Sequence, residues 1–276
     1  MKNTEKKDIV LKHLVALYAR RIGVLLLFFA MLPSALRGTS SFGAEETTPY
    51  NWYFKKNDCH GQPPLDGCLK FIERYDGYYL DRNCKEKVIY LTFDAGYENG
   101  NIAVILDALK KHDAPAAFFV LENLIKRNPQ LVKRMAEEGH LVCNHTAKHP
   151  DMSAITDKGL FSKQLTALEK CYEEIIGGKM APYYRPPQGR FSEQNLKYAK
   201  ELGYKTIFWS YAYADWDNNR QPAPVWAKEE ILAHTHPGMV ILLHPTSLTN
   251  ARIMDELLSL WEAEGYRFGT LEELTA

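Results

Sequence analysis

From Val88 to the C-terminus, short apolar runs alternate with longer stretches of helical pattern, and this alternation limits the possible folds more than any other feature of the chain. It predicts strands at 88–94, 115–120 and 140–143, separated by helices near 99–112 and 128–138. Beyond a helix near 156–177 it predicts a short strand at Tyr183-Tyr184, a helix near 192–202, a strand from Lys205 to Trp209 and a helix from Lys228 to His234. A strand from Met239 to Leu243, a helix from Asn250 to Glu264 and a strand from Tyr266 to Phe268 complete the series. Repeated strand–helix units require a mainly parallel sheet with helices outside it. About seven such units favour closure into a distorted α/β, (β/α), barrel over an open doubly wound sheet. In such a barrel the chemistry collects at the C-terminal ends of the strands.

Two segments precede this domain, which occupies residues 85–276. Residues 1–44 carry Lys2, Lys6, Lys7, Lys12, Arg20 and Arg21 ahead of the apolar stretch Ile22 to Leu36, the pattern of an export signal. The stretch is short for a membrane-spanning helix and Pro33 interrupts it. Small residues at Ser40, Ser41, Gly43 and Ala44 suit cleavage near Gly43 or Ala44, and an uncleaved signal anchor is the alternative. Under either reading the domain is exported and faces outward. Residues 45–84 have turn signals at Gly61, Pro63-Pro64, Gly67 and Gly77 and no sustained period, as expected of an N-terminal extension that wraps the main domain.

Charge and cysteine content exclude several classes of partner. Basic and acidic residues are equal at 34 each, which recommends neither nucleic acid nor an anionic membrane surface. There is no G-x-G-x-x-G and no Walker lysine to hold a nucleotide. The 16 Tyr and 5 Trp supply rings that can stack on sugars as well as fill a core. The five cysteines form no C-x-x-C pair, so metal fingers are excluded. In an exported protein Cys59 and Cys68 either close a short loop or remain thiols, while Cys143, inside Leu141-Val142-Cys143, reads as a small buried hydrophobe.

Polar groups stand at the ends of the apolar runs. Asp94 ends Val88-Ile-Tyr-Leu-Thr-Phe-Asp94 and opens into Ala95-Gly96-Tyr97-Glu98-Asn99-Gly100, where it is either a helix cap or a catalytic carboxylate. His145 and His149 are four apart, and a helical turn would set both imidazoles on one face, as a divalent metal needs; two surface histidines would show the same spacing. Arg185 precedes Pro186-Pro187, which hold the following backbone extended and let its guanidinium be pinned against a carboxylate. His244 follows Leu242-Leu243, so its imidazole belongs at the rim of the core, where its pKa can be tuned. His112, His140, His234 and His236 have no such company and read as surface or structural residues.

Taken in order, Thr92-Phe93-Asp94-Ala95-Gly96, His145-Thr146-Ala147-Lys148-His149, Arg185-Pro186-Pro187-Gln188-Gly189, Asp215-Trp216 and Leu242-Leu243-His244 resemble the motifs of the polysaccharide deacetylases, the NodB-homology, carbohydrate esterase 4 type. The fuller string to Gly100, the lead-in Trp52-Tyr-Phe-Lys-Lys and Phe208-Trp209-Ser210 are most similar to the spore-type, delta-lactam-biosynthetic peptidoglycan N-acetylmuramic acid deacetylases. The resemblance implies that Asp94 is the base on the attacking water, that Arg185 keeps it ionised, and that His145 and His149 hold a divalent metal, zinc by family habit. It also implies that His244 protonates the leaving amine with Asp215 raising its pKa, that the Gln188 backbone N–H supports the oxyanion, and that the substrate is a peptidoglycan glycan strand. One position departs from the family pattern. Where a second Asp usually completes the metal triad this chain has Ala95, which has no ligating atom, and Glu98, the nearest spare carboxylate, reads as a first-turn helix acid. Two other functions compete: deacetylation of N-acetylglucosamine, chitin or acetylated xylan with the same chemistry, and a glycan-binding pseudoenzyme, for which Ala95 is the main argument.

Overall fold

The computed structural model describes residues 46–276 except Asn57, Asp58 and Asn83, so the export signal or anchor expected over 1–44 lies outside the described residues. Among the described residues no helix is long and apolar enough to cross a membrane. The strands are β1 (Tyr50–Asn51), β2 (Gly77–Tyr78), β3 (Val88–Ala95), β4 (Ala116–Val120), β5 (Leu141–Asn144), β6 (Tyr183–Tyr184), β7 (Arg190–Phe191), β8 (Lys205–Ile207), β9 (Tyr211–Ala212), β10 (Met239–Leu243) and β11 (Arg267–Phe268). Nine of them form one sheet in the order β2-β8-β6-β5-β4-β3-β10-β9, with β11 also on β3. Its strand pairs are parallel. Helices cover its outer face, and its inner strands are buried on both sides, which is why β4 and β10 read as continuous apolar runs rather than alternating ones.

The sheet curls into a distorted barrel. Segment 205–212 links its two flanks, pairing with β6 through β8 and with β10 through β9. The sequence predicts one strand from Lys205 to Trp209; instead pairing stops at Ile207 and resumes at Tyr211, and the break at Phe208-Trp209-Ser210 lets one stretch of chain change partners. The seven predicted strands are all present, and the two-residue β2 and β9 bring the sheet to nine. The helices Ile102–Lys111, Pro129–Glu137, Lys158–Ile175, Glu193–Glu201, Pro224–Ala233 and Leu248–Ala263 lie close to the predicted spans. One starts four residues before its predicted Lys228, because Pro224 occupies its first turn, where the missing N–H costs nothing. A further short helix, Glu122–Arg127, has no counterpart in the prediction.

The segment before β3 is more than a wrapping. A 3-10 helix, Gly67–Tyr75, buries Leu69 and Ile72; β2 then pairs with β8, Leu80 bridges to Met239 of β10, and the Asp81 N–H donates to the Gly238 carbonyl at 2.9 Å. It therefore spans the seam between β8 and β10. Upstream, β1 pairs antiparallel with β7, and the buried Trp52 stacks on Phe208 at 4.3 Å while its indole N–H donates to the Trp209 carbonyl at 2.9 Å. Cys59 and Cys68 are both exposed. Cys143 is fully buried.

Candidate active site

Strands β3 and β10 pair in a register that sets Phe93 against Leu243. Asp94 and His244 are the next residues along the chain, one still on β3 and the other just past β10, so neighbouring strand ends deliver a carboxylate and an imidazole to one rim. Beneath Asp94 lies Arg185, fully buried just after β6. Its Nη1 donates to Asp94 Oδ1 at 2.8 Å, its Nη2 to Thr92 Oγ1 at 2.8 Å and its Nε to the Ile207 carbonyl at 2.9 Å. The guanidinium carbon lies 4.2 Å from the Phe119 ring centroid. This full set of acceptors makes a buried cation tolerable. Burial works against ionisation of Asp94, and His145, Arg185 and His244 overcome it, so its carboxyl sits below the ordinary carboxylate range.

His145 and His149 do come together, with ring centroids 5.0 Å apart, but not on a helical turn. They sit in a loop after β5 whose backbone takes left-handed φ at Thr146 (72°) and His149 (57°). The fully buried Asn144 shapes that loop by accepting from the Thr146 N–H at 2.9 Å, and the Thr146 hydroxyl accepts from the His149 N–H at 3.0 Å. The His145 Nδ1 donates to the Arg185 carbonyl at 2.9 Å, which leaves the Nε2 lone pair on the cleft side, 3.5 Å from Asp94 Oδ2. Burial pushes the His145 pKa down to about 4 and lowers that of His149 as well, so both rings are neutral near pH 7. Neutral imidazoles with one nitrogen fixed by a carbonyl suit a metal. Among the described residues, however, no group of three His, Cys, Asp or Glu side chains converges to hold one. Ala95 contributes only a methyl, and Glu98 is engaged elsewhere, accepting from the N–H groups of Gly100 and Ile102 as a cap of the helix Ile102–Lys111. Two neighbouring imidazoles are therefore what the site offers a metal, one protein ligand short of the usual three of a catalytic zinc.

His244 is fixed from the other side. Its Nδ1 donates to Asp215 Oδ1 at 2.7 Å and its backbone N–H to Oδ2 at 2.7 Å. Burial disfavours the imidazolium, but the charge and hydrogen bond of Asp215 outweigh it and the His244 pKa is raised. Asn250, in the first turn of the helix Leu248–Ala263, completes the arrangement by donating to Asp215 Oδ2 at 2.6 Å and to the His244 carbonyl at 3.0 Å, while the Tyr213 hydroxyl donates to its Oδ1. Sequence reasoning gives Asn250 no role. Its one signal, Ser247-Leu-Thr-Asn250 with the Ser247 hydroxyl capping the Asn250 N–H, marks a helix start and nothing more.

A cleft of about 660 Å³ opens over these groups, lined by Asp94, His149, Gln188, Trp209, Tyr213, Trp216, Leu242 and His244 among others. Gln188 is exposed at its edge in a turn with φ 59°, after the two prolines. His145, Arg185 and Asp215 are buried immediately behind these lining groups. A carboxylate whose ionised form is favoured and an imidazole whose protonated form is favoured, both facing one cleft, are the groups of an acid–base enzyme. The sequence matches the polysaccharide deacetylase family over residues 81–207. It is 42% identical over 239 residues to peptidoglycan-N-acetylmuramic acid deacetylase PdaA of Bacillus subtilis, covering 86% of this chain and 90% of the relative. The solved structure of that enzyme, a family 4 carbohydrate esterase, superposes with a TM-score of 0.79 at 41% identity over 83% of this chain and 97% of the other. A peptidoglycan-N-acetylglucosamine deacetylase of Bacillus cereus is 29% identical over 82% of this chain and 80% of its own length. The chain belongs to the polysaccharide deacetylase family, carbohydrate esterase family 4, and is a hydrolase of amide bonds. Deacetylases of this family are metal-dependent.

Proposed function

We propose that this protein removes the N-acetyl group from N-acetylmuramic acid residues of peptidoglycan, at positions whose peptide has been removed, and so prepares the muramic delta-lactam of spore cortex. The observation that carries this reading is the likeness to PdaA over nearly the whole of both chains, including the segment before β3 that holds Trp52. The basic and apolar N-terminal stretch supports export and action on the outer side of the membrane.

In the mechanism Asp94, ionised beside Arg185, takes the proton of the attacking water. His244, protonated beside Asp215, gives a proton to the departing sugar amine, and acetate leaves. The Gln188 backbone N–H, at the edge of the cleft, supports the developing oxyanion, a contribution of roughly 3 kcal/mol for one such donor. His145 and His149 would hold a divalent metal, zinc by the imidazole donor set, whose chemistry when bound is polarisation of the amide carbonyl. Arg185 and Asp215 act through their partners, holding charge and orientation. Against the pseudoenzyme stands the presence of both pairs, Asp94–Arg185 and His244–Asp215, because glycan binding alone has no use for an ionised carboxylate beside an imidazolium.

The test is acetate release by the purified protein, with and without added zinc, from peptidoglycan whose muramic acids have or have not been stripped of peptide. Release confined to stripped glycan is the expected result. Release from N-acetylglucosamine oligomers alone would transfer the enzyme to the other substrate, and no release by folded, glycan-binding protein would make it a pseudoenzyme.

A further inference from the structure

The cleft is not the end of the aromatic surface. Trp226, in the first turn of the helix Pro224–Ala233, is 48% exposed, and its ring lies 6.3 Å from that of the cleft-lining Tyr213, tilted by 58°. Beside it Val225 is 63% exposed, and at the cleft itself Trp216 is 65% exposed. Elsewhere on that helix Ala227 and Ile231 face the core, so Val225 and Trp226 are left to solvent by the helix's own geometry. Tyr213 is anchored through its hydroxyl to Asn250, the same side chain that holds Asp215 and the His244 carbonyl. The aromatic step from Tyr213 to Trp226 is therefore fixed relative to the proton donor.

We infer that Trp226, with Val225, forms an outlying sugar subsite that takes a ring of the same glycan strand beyond the residue being deacetylated. The inference rests on the glycan-strand reading of the cleft. A polysaccharide entering a cleft of this size must run out over its rim, and the surface it meets past Tyr213 is a flat indole, which packs against the apolar face of a pyranose while the sugar hydroxyls stay in water. Trp226 lies outside the cleft lining but in ring contact with the lining residue Tyr213, and a strand already held at the reacting residue would gain the second contact at high effective concentration.

Chain length separates this subsite from a structural role. Trp226→Ala should lower kcat/KM for long peptide-stripped strands by about tenfold, as loss of one aromatic platform does, and leave kcat/KM for a tetrasaccharide unchanged. Trp226→Phe should restore most of the loss. Co-sedimentation with the same strands should weaken in parallel in Trp226→Ala, and this reading holds even if the wild-type protein releases no acetate, so failure of the deacetylase assignment and failure of the subsite are distinguishable. An equal loss on short and long substrates, or no loss on long ones together with unchanged co-sedimentation, would overturn the inference. So would a dimer in solution that Trp226→Ala dissociates, since the patch would then belong to a second copy of the chain.

Discussion

Arg185 shows how far single residues could be read in advance. Its place before two prolines and the run ending at Asp94 are visible in the sequence, and the structure joins them at 2.8 Å. Asn250 was invisible because an asparagine just inside a helix has many uses, and only the fold brings it against Asp215. Asp94→Asn should reduce acetate release by about 10²- to 10⁴-fold, the usual contribution of a general base. Because it leaves a buried guanidinium short of its anion, it should also cost on the order of 3 kcal/mol, read from the urea midpoint with an unchanged far-UV spectrum. The pH dependence follows from the two shifted groups. Asp94, held below the ordinary range, keeps its base form to lower pH than a free carboxylate, and His244, held above its ordinary value, keeps its acid form to higher pH than a free imidazole. The kcat/KM profile should be bell-shaped, its alkaline limb falling through the raised His244 value. Asp215→Asn removes the charge that raises it, so that limb should move to lower pH. A limb that stays in place would mean another group is the acid.

At the scale of elements, the long strands and helices were legible because burial on both faces or along one stripe imposes a period. Two-residue strands impose none. β2 and β9 exist because the longer β8 and β10 offer them hydrogen bonds, β1 and β7 only because the fold brings the two together, and nothing in Tyr50-Asn51 or Gly77-Tyr78 announces that. The loop of His145 and His149 misled in another way. A spacing of four suits a helical turn, yet two left-handed residues bring the rings together just as well. The turn after Arg185 is similarly dependent on backbone. Gly189 has φ 65°, and a Cβ there would lie 2.9 Å from the Trp209 ring and 3.2 Å from Trp52 Cβ. Gly189→Ala should cost about 1–3 kcal/mol in strain and, by displacing the cleft-lining Trp209, raise KM more than it lowers kcat. Steady-state kinetics beside thermal melting would check both.

For the molecule as a whole, the segment before β3 is part of the barrel. It supplies β2 at the sheet edge, the bridge from Leu80 to Met239 and the Trp52 packing against Phe208. Trp52→Ala should destabilise the protein by about 3–5 kcal/mol, measurable by denaturant unfolding. Removing residues 46–84 altogether should give insoluble protein, because it strips the edge of β8 and uncovers Phe191 and Phe208. A soluble, cooperatively unfolding fragment would refute this. The pairing of β3 with β10 reaches further. Since Asp94 and His244 follow Phe93 and Leu243, their spacing is a lattice constant of the sheet, about 5 Å from strand to strand, and no surface loop sets it. Loops around the rim are free to lengthen, shorten and change sequence over evolutionary time while the caliper that measures the scissile bond stays at one setting, so new sugars can be recruited without reinventing the reaction.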